Sequence, residues 1–139
     1  MLSIKTKKTE LQKIAKKYNL LVLVLFGSRA DNTYSKDSDF DFAFYTKKPM
    51  KTEKEISLYE DLVKILETEK IDIININTNH SPIVRKEIFF MGKPIYEVKN
   101  GFFDDLKWAA WFDYIDFQKY EVKRRKILEK QLEEAAADA

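Results

Sequence analysis

Three aspartates carry the chemistry this sequence is equipped to perform: Asp39, Asp41 and Asp72. Asp39 and Asp41 lie two apart in the stretch Ser38 to Thr46, where Asp39, Asp41, Ala43 and Tyr45 alternate with Phe40, Phe42 and Phe44. Alternation with period two predicts a strand with one wet and one greasy face, and it puts both carboxylates on the same side. Two carboxylates side by side repel each other and ask for a cation between them. There is no cysteine, and His80 is the one histidine, so thiolate zinc sites and paired-histidine sites are excluded. Oxygen-only ligands suit Mg2+ or Mn2+. Asp72 interrupts the apolar run Ile71 to Ile76, a third predicted strand. A carboxylate there is costly unless it is paired or binds metal. Taken alone, it reads equally as a lysine's ion-pair partner, a strand-end residue or a metal ligand. If its strand neighbours that of Asp39 and Asp41, all three converge.

A second constellation lies just upstream. Leu20 to Phe26 is a continuous apolar run that reads as a strand buried on both faces, and it stops at Gly27. Gly27-Ser28-Arg29-Ala30 then turns the chain into a short helix. Glycine permits close approach of the backbone to a phosphate. The amides at a helix start, with the Ser28 hydroxyl, make an anion cradle. Arg29, one step further on, has the fork geometry to pair a phosphate. In isolation Gly-Ser is a turn with a cap, and Asp-x-Asp is a solvated strand face. Together, a phosphate cradle followed by metal-holding carboxylates is what nucleoside triphosphate chemistry requires.

The elements that must position these residues follow from periodicity. Thr9 to Tyr18 predicts a short amphipathic helix with Thr9 as its cap. Asp31 to Asp37 reads as a polar turn. Thr52 to Glu67 places Ile56, Tyr59, Leu62, Val63 and Leu66 at helical spacing. Ser81-Pro82 opens another helix, with a cap followed by proline at the first helical position, reaching about Phe90. Ile95 to Val98 is a short strand. From Phe102 one long helix is expected, to about residue 132, with a frayed tail over 133–139. The order is that of an α/β (α+β) fold, a mixed sheet with helices mainly on one face and a long C-terminal helix.

At 139 residues the chain is sized for a single domain. With 25 Lys+Arg against 23 Asp+Glu the net charge is only +2, too balanced for a dedicated nucleic-acid binder. Lysines crowd the first twenty residues, either as a solvated helix face or as a positive rim for phosphates. No apolar run reaches the length of a membrane span, and no apolar signal core follows Met1. A cytoplasmic protein is the expectation.

The stretch from Leu25 to Phe42, LFGSRADNTYSKDSDFDF, has the pattern Gly-Ser, ten residues, Asp-x-Asp. It resembles the signature of the polymerase-β-like nucleotidyltransferase superfamily. The whole chain is similar to the superfamily's minimal branch, the MNT proteins, and within it to the MntA-type antitoxins that pair with HEPN-domain toxins. The likeness extends to the third acid on a later strand, to IVRKEIFFMGKPIYE over Ile83 to Glu97, and to an aromatic and acidic C-terminal helix. One departure is visible. Asp31-Asn32 stands where the family often has Arg-Gly, which removes a second arginine.

The resemblance implies nucleotidyl transfer from ATP. It casts Asp39 and Asp41 as metal ligands, Asp72 as the third ligand and base, and Gly27 and Ser28 as holders of the phosphates, with Arg29 as a weaker phosphate contact. The metal would be Mg2+, two ions, with Mn2+ as the alternative. Related antibiotic-modifying enzymes add a helical domain that closes over a small substrate. Without one, a partner would complete the site, and the resemblance supplies a HEPN ribonuclease whose tyrosine is adenylylated. The aromatic residues Phe103 to Tyr120 occupy more than one face of the last helix, so they serve as core or as a docking surface. Two other readings stand: an antitoxin that only binds, and a nucleotidyltransferase acting on a small molecule or on RNA. Self-association is left open.

Overall fold

The run Leu20–Phe26 becomes an inner strand, β1, and its apolar residues are used on both sides of the sheet. In the computed structural model, residues 4–31 and 38–139 are described. The element order is α1 (Ile4–Lys17), β1 (Leu20–Phe26), α2 (Ser28–Asp31), β2 (Phe40–Thr46), α3 (Thr52–Leu66), β3 (Ile71–Asn75), α4 (Pro82–Met91), β4 (Lys93–Glu97) and α5 (Phe102–Ala137). The sheet order is β3-β2-β1-β4, with β1 antiparallel to β2 and β4, and β2 parallel to β3. A parallel pair needs a crossover, and α3 supplies it.

Alternation divides the side chains of the sheet between two cores. Leu23, Leu25, Phe40, Phe42, Phe44, Ile71 and Ile95 face α1 and α3 and meet Leu11, Ile14, Leu58, Leu62 and Leu66. This layer draws on all four strands. Val22, Val24, Phe26 and Ala43 face the other way, toward Ile88, Phe89, Phe103 and Ala110 of α4 and α5. There α4 packs over β1, and α5 packs on α4 and the edge strand β4. Phe103 meets Phe89 at 5.5 Å between ring centroids, and Trp111 meets Phe90 at 5.5 Å.

Local chemistry closes the ends. Ser81 accepts a hydrogen bond from the Val84 amide at 3.3 Å, with Pro82 behind it. Asn77 continues the β2–β3 pairing beyond the strands: its Oδ1 accepts from the Thr46 amide at 2.9 Å, and its Nδ2 donates to the Thr46 carbonyl at 2.7 Å. Lys17 and the Tyr18 hydroxyl both donate to Asp61 Oδ2, at 2.8 and 2.6 Å, which ties α1 to α3.

Several boundaries differ from the sequence expectation. β4 runs Lys93–Glu97 and not from Ile95 to Val98, because Lys93 and Pro94 already pair with Leu25 and Val24 of β1. Helix α1 begins at Ile4, so Thr9 lies inside it and caps nothing; the lysine-rich first turns contain no Gly or Pro to stop a helix. β2 opens at Phe40, which leaves Asp39 just before the strand. α5 continues past 132 to Ala137, because Glu133, Glu134 and the alanines after them are strong helix formers even without packing. The polar turn expected from Asp31 to Asp37 starts later, since Asp31 closes α2; residues 32–37 lie outside the described residues.

Phe42 is completely buried between the sheet and α3. Phe42→Ala is expected to cost about 3–5 kcal/mol, read as a lowered midpoint in urea unfolding with an unchanged slope.

Candidate active site

The pairing register decides which acids meet. Asp41 is the register partner of Asp72 across the parallel β2–β3 pair, and of Phe26 across β1–β2. Partners in register share a face. Phe40 and Phe42 are locked into the core on the α1–α3 side, so Asp41 and Asp72 project from the opposite face. That face is covered by α4 over β1, and it is less covered toward β3, where Asp72 is exposed and Ile74 half-buried. Asp39 is exposed one residue before the strand. Parallel adjacency of β2 and β3 brings Asp72 beside Asp41.

Gly27 completes the arrangement from behind. It has φ +73°, a conformation that side chains rarely adopt, and a Cβ at this position would collide with the Asp41 carboxylate. Glycine is therefore needed twice over at the end of β1. The backbone then enters α2 at Ser28, while the Ser28 side chain lies outside what is described.

Asp41 bears the cost of this crowding. Burial, first of all, pushes its carboxyl above the usual carboxylate range, and the charges of Asp72, Asp39 and Glu87 push in the same direction. Glu87 comes from α4 and was not foreseen from sequence. As one exposed acid on an amphipathic helix it gives no signal until the helix is docked. Among the described residues none of Asp39, Asp41 and Asp72 is salt-bridged to a cation.

These donors fit a hard divalent cation: all are carboxylate oxygens, they carry unbalanced negative charge, and one is held partly desolvated. Among the described residues no group of three or more His, Cys, Asp or Glu side chains stands close enough together to hold a metal ion as it is. His80 is exposed in the loop before α4, with Nδ1 3.5 Å from Arg85 Nη2. A polar depression of about 360 Å3, lined by Lys17, Tyr18 and Asp61 among others, lies at the start of β1, the opposite end from Gly27.

Arg29, a weaker candidate for a phosphate contact, packs against the start of β2. It is 9% exposed, its guanidinium sits 4.2 Å from the Phe40 ring centroid, and its Nη2 donates to the Ser38 carbonyl at 3.1 Å. The aromatic residues of the C-terminal helix differ in burial. Phe103 and Ala110 are buried and Leu106 and Trp111 partly so, whereas Trp108, Phe112 and Tyr120 are exposed. Among the described residues no helix is long and apolar enough to cross a membrane.

A raised carboxyl pKa means the native state holds that proton more tightly than the unfolded chain. Stability is then lost as pH rises from the ordinary carboxylate value through the raised one. Asp41→Asn is expected to raise the thermal midpoint at neutral pH. The gain should shrink as the pH falls through the carboxylate range, as followed by melts at a series of pH values.

Comparison with known proteins agrees with this geometry. Residues 9–100 match the family model described as polymerase beta, nucleotidyltransferase. A Methanocaldococcus jannaschii protein that carries the name protein adenylyltransferase is 34% identical over 77 residues, which are 55% of this chain and 78% of that protein. Among solved structures, a chain from a toxin–antitoxin crystal structure with AMP-PNP superposes with TM-score 0.71 at 17% identity, covering 90% of this chain and 98% of the other. A chain from the tri-AMPylated Shewanella oneidensis HEPN toxin in complex with MNT antitoxin gives TM-score 0.67 at 15% identity, covering 92% and 98%. At these identities the likeness is one of fold.

Proposed function

Because this chain belongs to the polymerase beta nucleotidyltransferase family, we propose that it is a protein adenylyltransferase that moves AMP from ATP to a tyrosine of a HEPN-domain toxin, as the antitoxin of that pair. The observation that carries this reading is the register pairing of Asp41 with Asp72 beside Gly27. Carboxylates converge at the end of a strand whose next residues open a helix. The adenylyltransferase name of the archaeal relative and the toxin–antitoxin complexes among the structural neighbours support the choice of acceptor.

Asp39, Asp41 and Asp72 would hold Mg2+, which supplies charge neutralisation for the phosphates and the leaving pyrophosphate. The chain's own groups do the rest. Backbone amides at the start of α2 meet the β- and γ-phosphates, and Gly27 leaves room for them. The acceptor oxygen forms a bond to the α-phosphorus, and the bond from that phosphorus to the bridging oxygen breaks. Pyrophosphate leaves with the electron pair. Asp72, the more exposed member of the register pair, takes the phenolic proton. No side-chain nucleophile is required, which suits a chain with no cysteine and a single exposed histidine.

Incubation of the toxin with this protein, ATP and Mg2+ should add one or more AMP units to the toxin's intact mass, and Asp39→Ala/Asp41→Ala should add none. A complex that forms equally with both versions, without any mass gain, would assign the chain to the binding-only antitoxins.

The outward face of α5 is the surface we assign to the toxin. Trp108 and Phe112 stand exposed four residues apart, so they share one side of the helix, and exposed Asp104, Asp105 and Asp116 stand three or four residues from one or the other. Aromatic anchors within an acidic rim match a basic protein surface. Trp108→Ala/Phe112→Ala is expected to weaken toxin binding by about 2 kcal/mol or more in calorimetric titration, with the melting temperature of the free protein little changed.

A further inference from the structure

Arg29 is held on the side of the sheet away from the carboxylates. Phe40, the ring beneath its guanidinium at 4.2 Å, belongs to the core facing α1 and α3, whereas Asp41 projects from the other face. The ring continues a stack: Phe40 and Phe42 lie 6.4 Å apart with planes only 15° from parallel. Both residues flanking Asp39 are thereby anchored. On one side the Ser38 carbonyl accepts from Arg29 Nη2 at 3.1 Å. On the other, the Phe40 amide donates to the Lys70 carbonyl at 2.9 Å, and its ring lies under the guanidinium. Asp39 itself is exposed and lies before the first residue of β2, where the sheet alone does not hold it.

We propose that Arg29 is a positioning residue that clamps the peptide segment Ser38–Phe40, so that Asp39 is presented beside Asp41 to a divalent cation. The planar guanidinium does two things at once that an ammonium cannot: it stacks on Phe40 and directs an N–H at Ser38. This inference rests on Asp39 and Asp41 being metal ligands. It assigns Arg29 to their support and not to the phosphates.

The test measures Mn2+ affinity by electron paramagnetic resonance, and separately the affinity for ATP in the presence of a chelator, for the native protein, Arg29→Lys and Arg29→Ala. Both are measured below the melting transition of each variant. A clamp predicts that Mn2+ binding weakens about 10–100-fold in both variants, that lysine does not rescue it, and that metal-free ATP binding is unchanged. A phosphate contact predicts the reverse: Mn2+ affinity stays, metal-free ATP binding falls with alanine, and lysine restores it. That result overturns the proposal, as does a loss of thermal stability alone with both affinities intact. Should Arg29→Ala fail to fold, Arg29→Lys, which retains the charge and the aliphatic stem, decides by the same two affinities. Absence of Mn2+ binding in the native protein would overturn the metal reading itself. Intact native binding with unaltered variants overturns only the role of Arg29.

Discussion

Repulsion between carboxylates held at one end of a packed sheet is the constraint around which this molecule is arranged. Asp41 faces Asp72 across a parallel pair, has the backbone of Gly27 against it, and feels Glu87 from α4. Burial raises its carboxyl pKa more than any of these neighbours does. Asp41 is held there by the opposite face of the same strand, where Phe40, Phe42 and Phe44 are buried among Leu58, Leu62 and Leu66 of α3. The hydrophobic side of β2 thus offsets the electrostatic cost of its polar side. An unfavourable charge arrangement that persists because its surroundings hold it is what a cation or a phosphate-bound metal would relieve.

The two faces of the sheet divide the work. One is sealed by α1 and α3 with apolar residues from all four strands. The other is partly covered by α4 and α5 over β1 and β4. Asp72 is exposed on its less covered part, toward β3. This asymmetry gives rigidity from behind and access from in front. Helix α5 extends it outward: its first half packs through Phe103, Ala110 and Trp111, while Trp108 and Phe112 on a different side of the same turns remain exposed.

Much of this was legible in the residues. Alternation over 38–46 placed Asp41 opposite the phenylalanines, and the break at Gly27 marked where the chain turns from strand to helix. Ser81-Pro82 marked the start of α4 at the observed residue. Arg29 shows where such reading stops. An arginine one residue after Gly-Ser has the right chemistry for a phosphate, but a four-residue helix can point it to either side of the sheet. Its contact with Phe40, eleven residues away, is made by packing and not by local pattern. Glu87 is a similar case, since nothing distinguishes it from the other charges of α4 until that helix is set against β1.

The amino-acid sequence by itself determined the types of element, the faces of β2, the oxygen-only character of the donors and the break from strand to helix at Gly27. Those properties depend on neighbours within a few residues, where periodicity and steric rules act directly. Tertiary structure decided that β3 lies beside β2 and in parallel, so that Asp72 meets Asp41 and not a lysine. It also decided that Arg29 packs on the Phe40 ring, and which aromatic residues of α5 are core and which face outward. Each of these depends on which surfaces of separate elements bury one another, a matter settled by the packing of the whole chain.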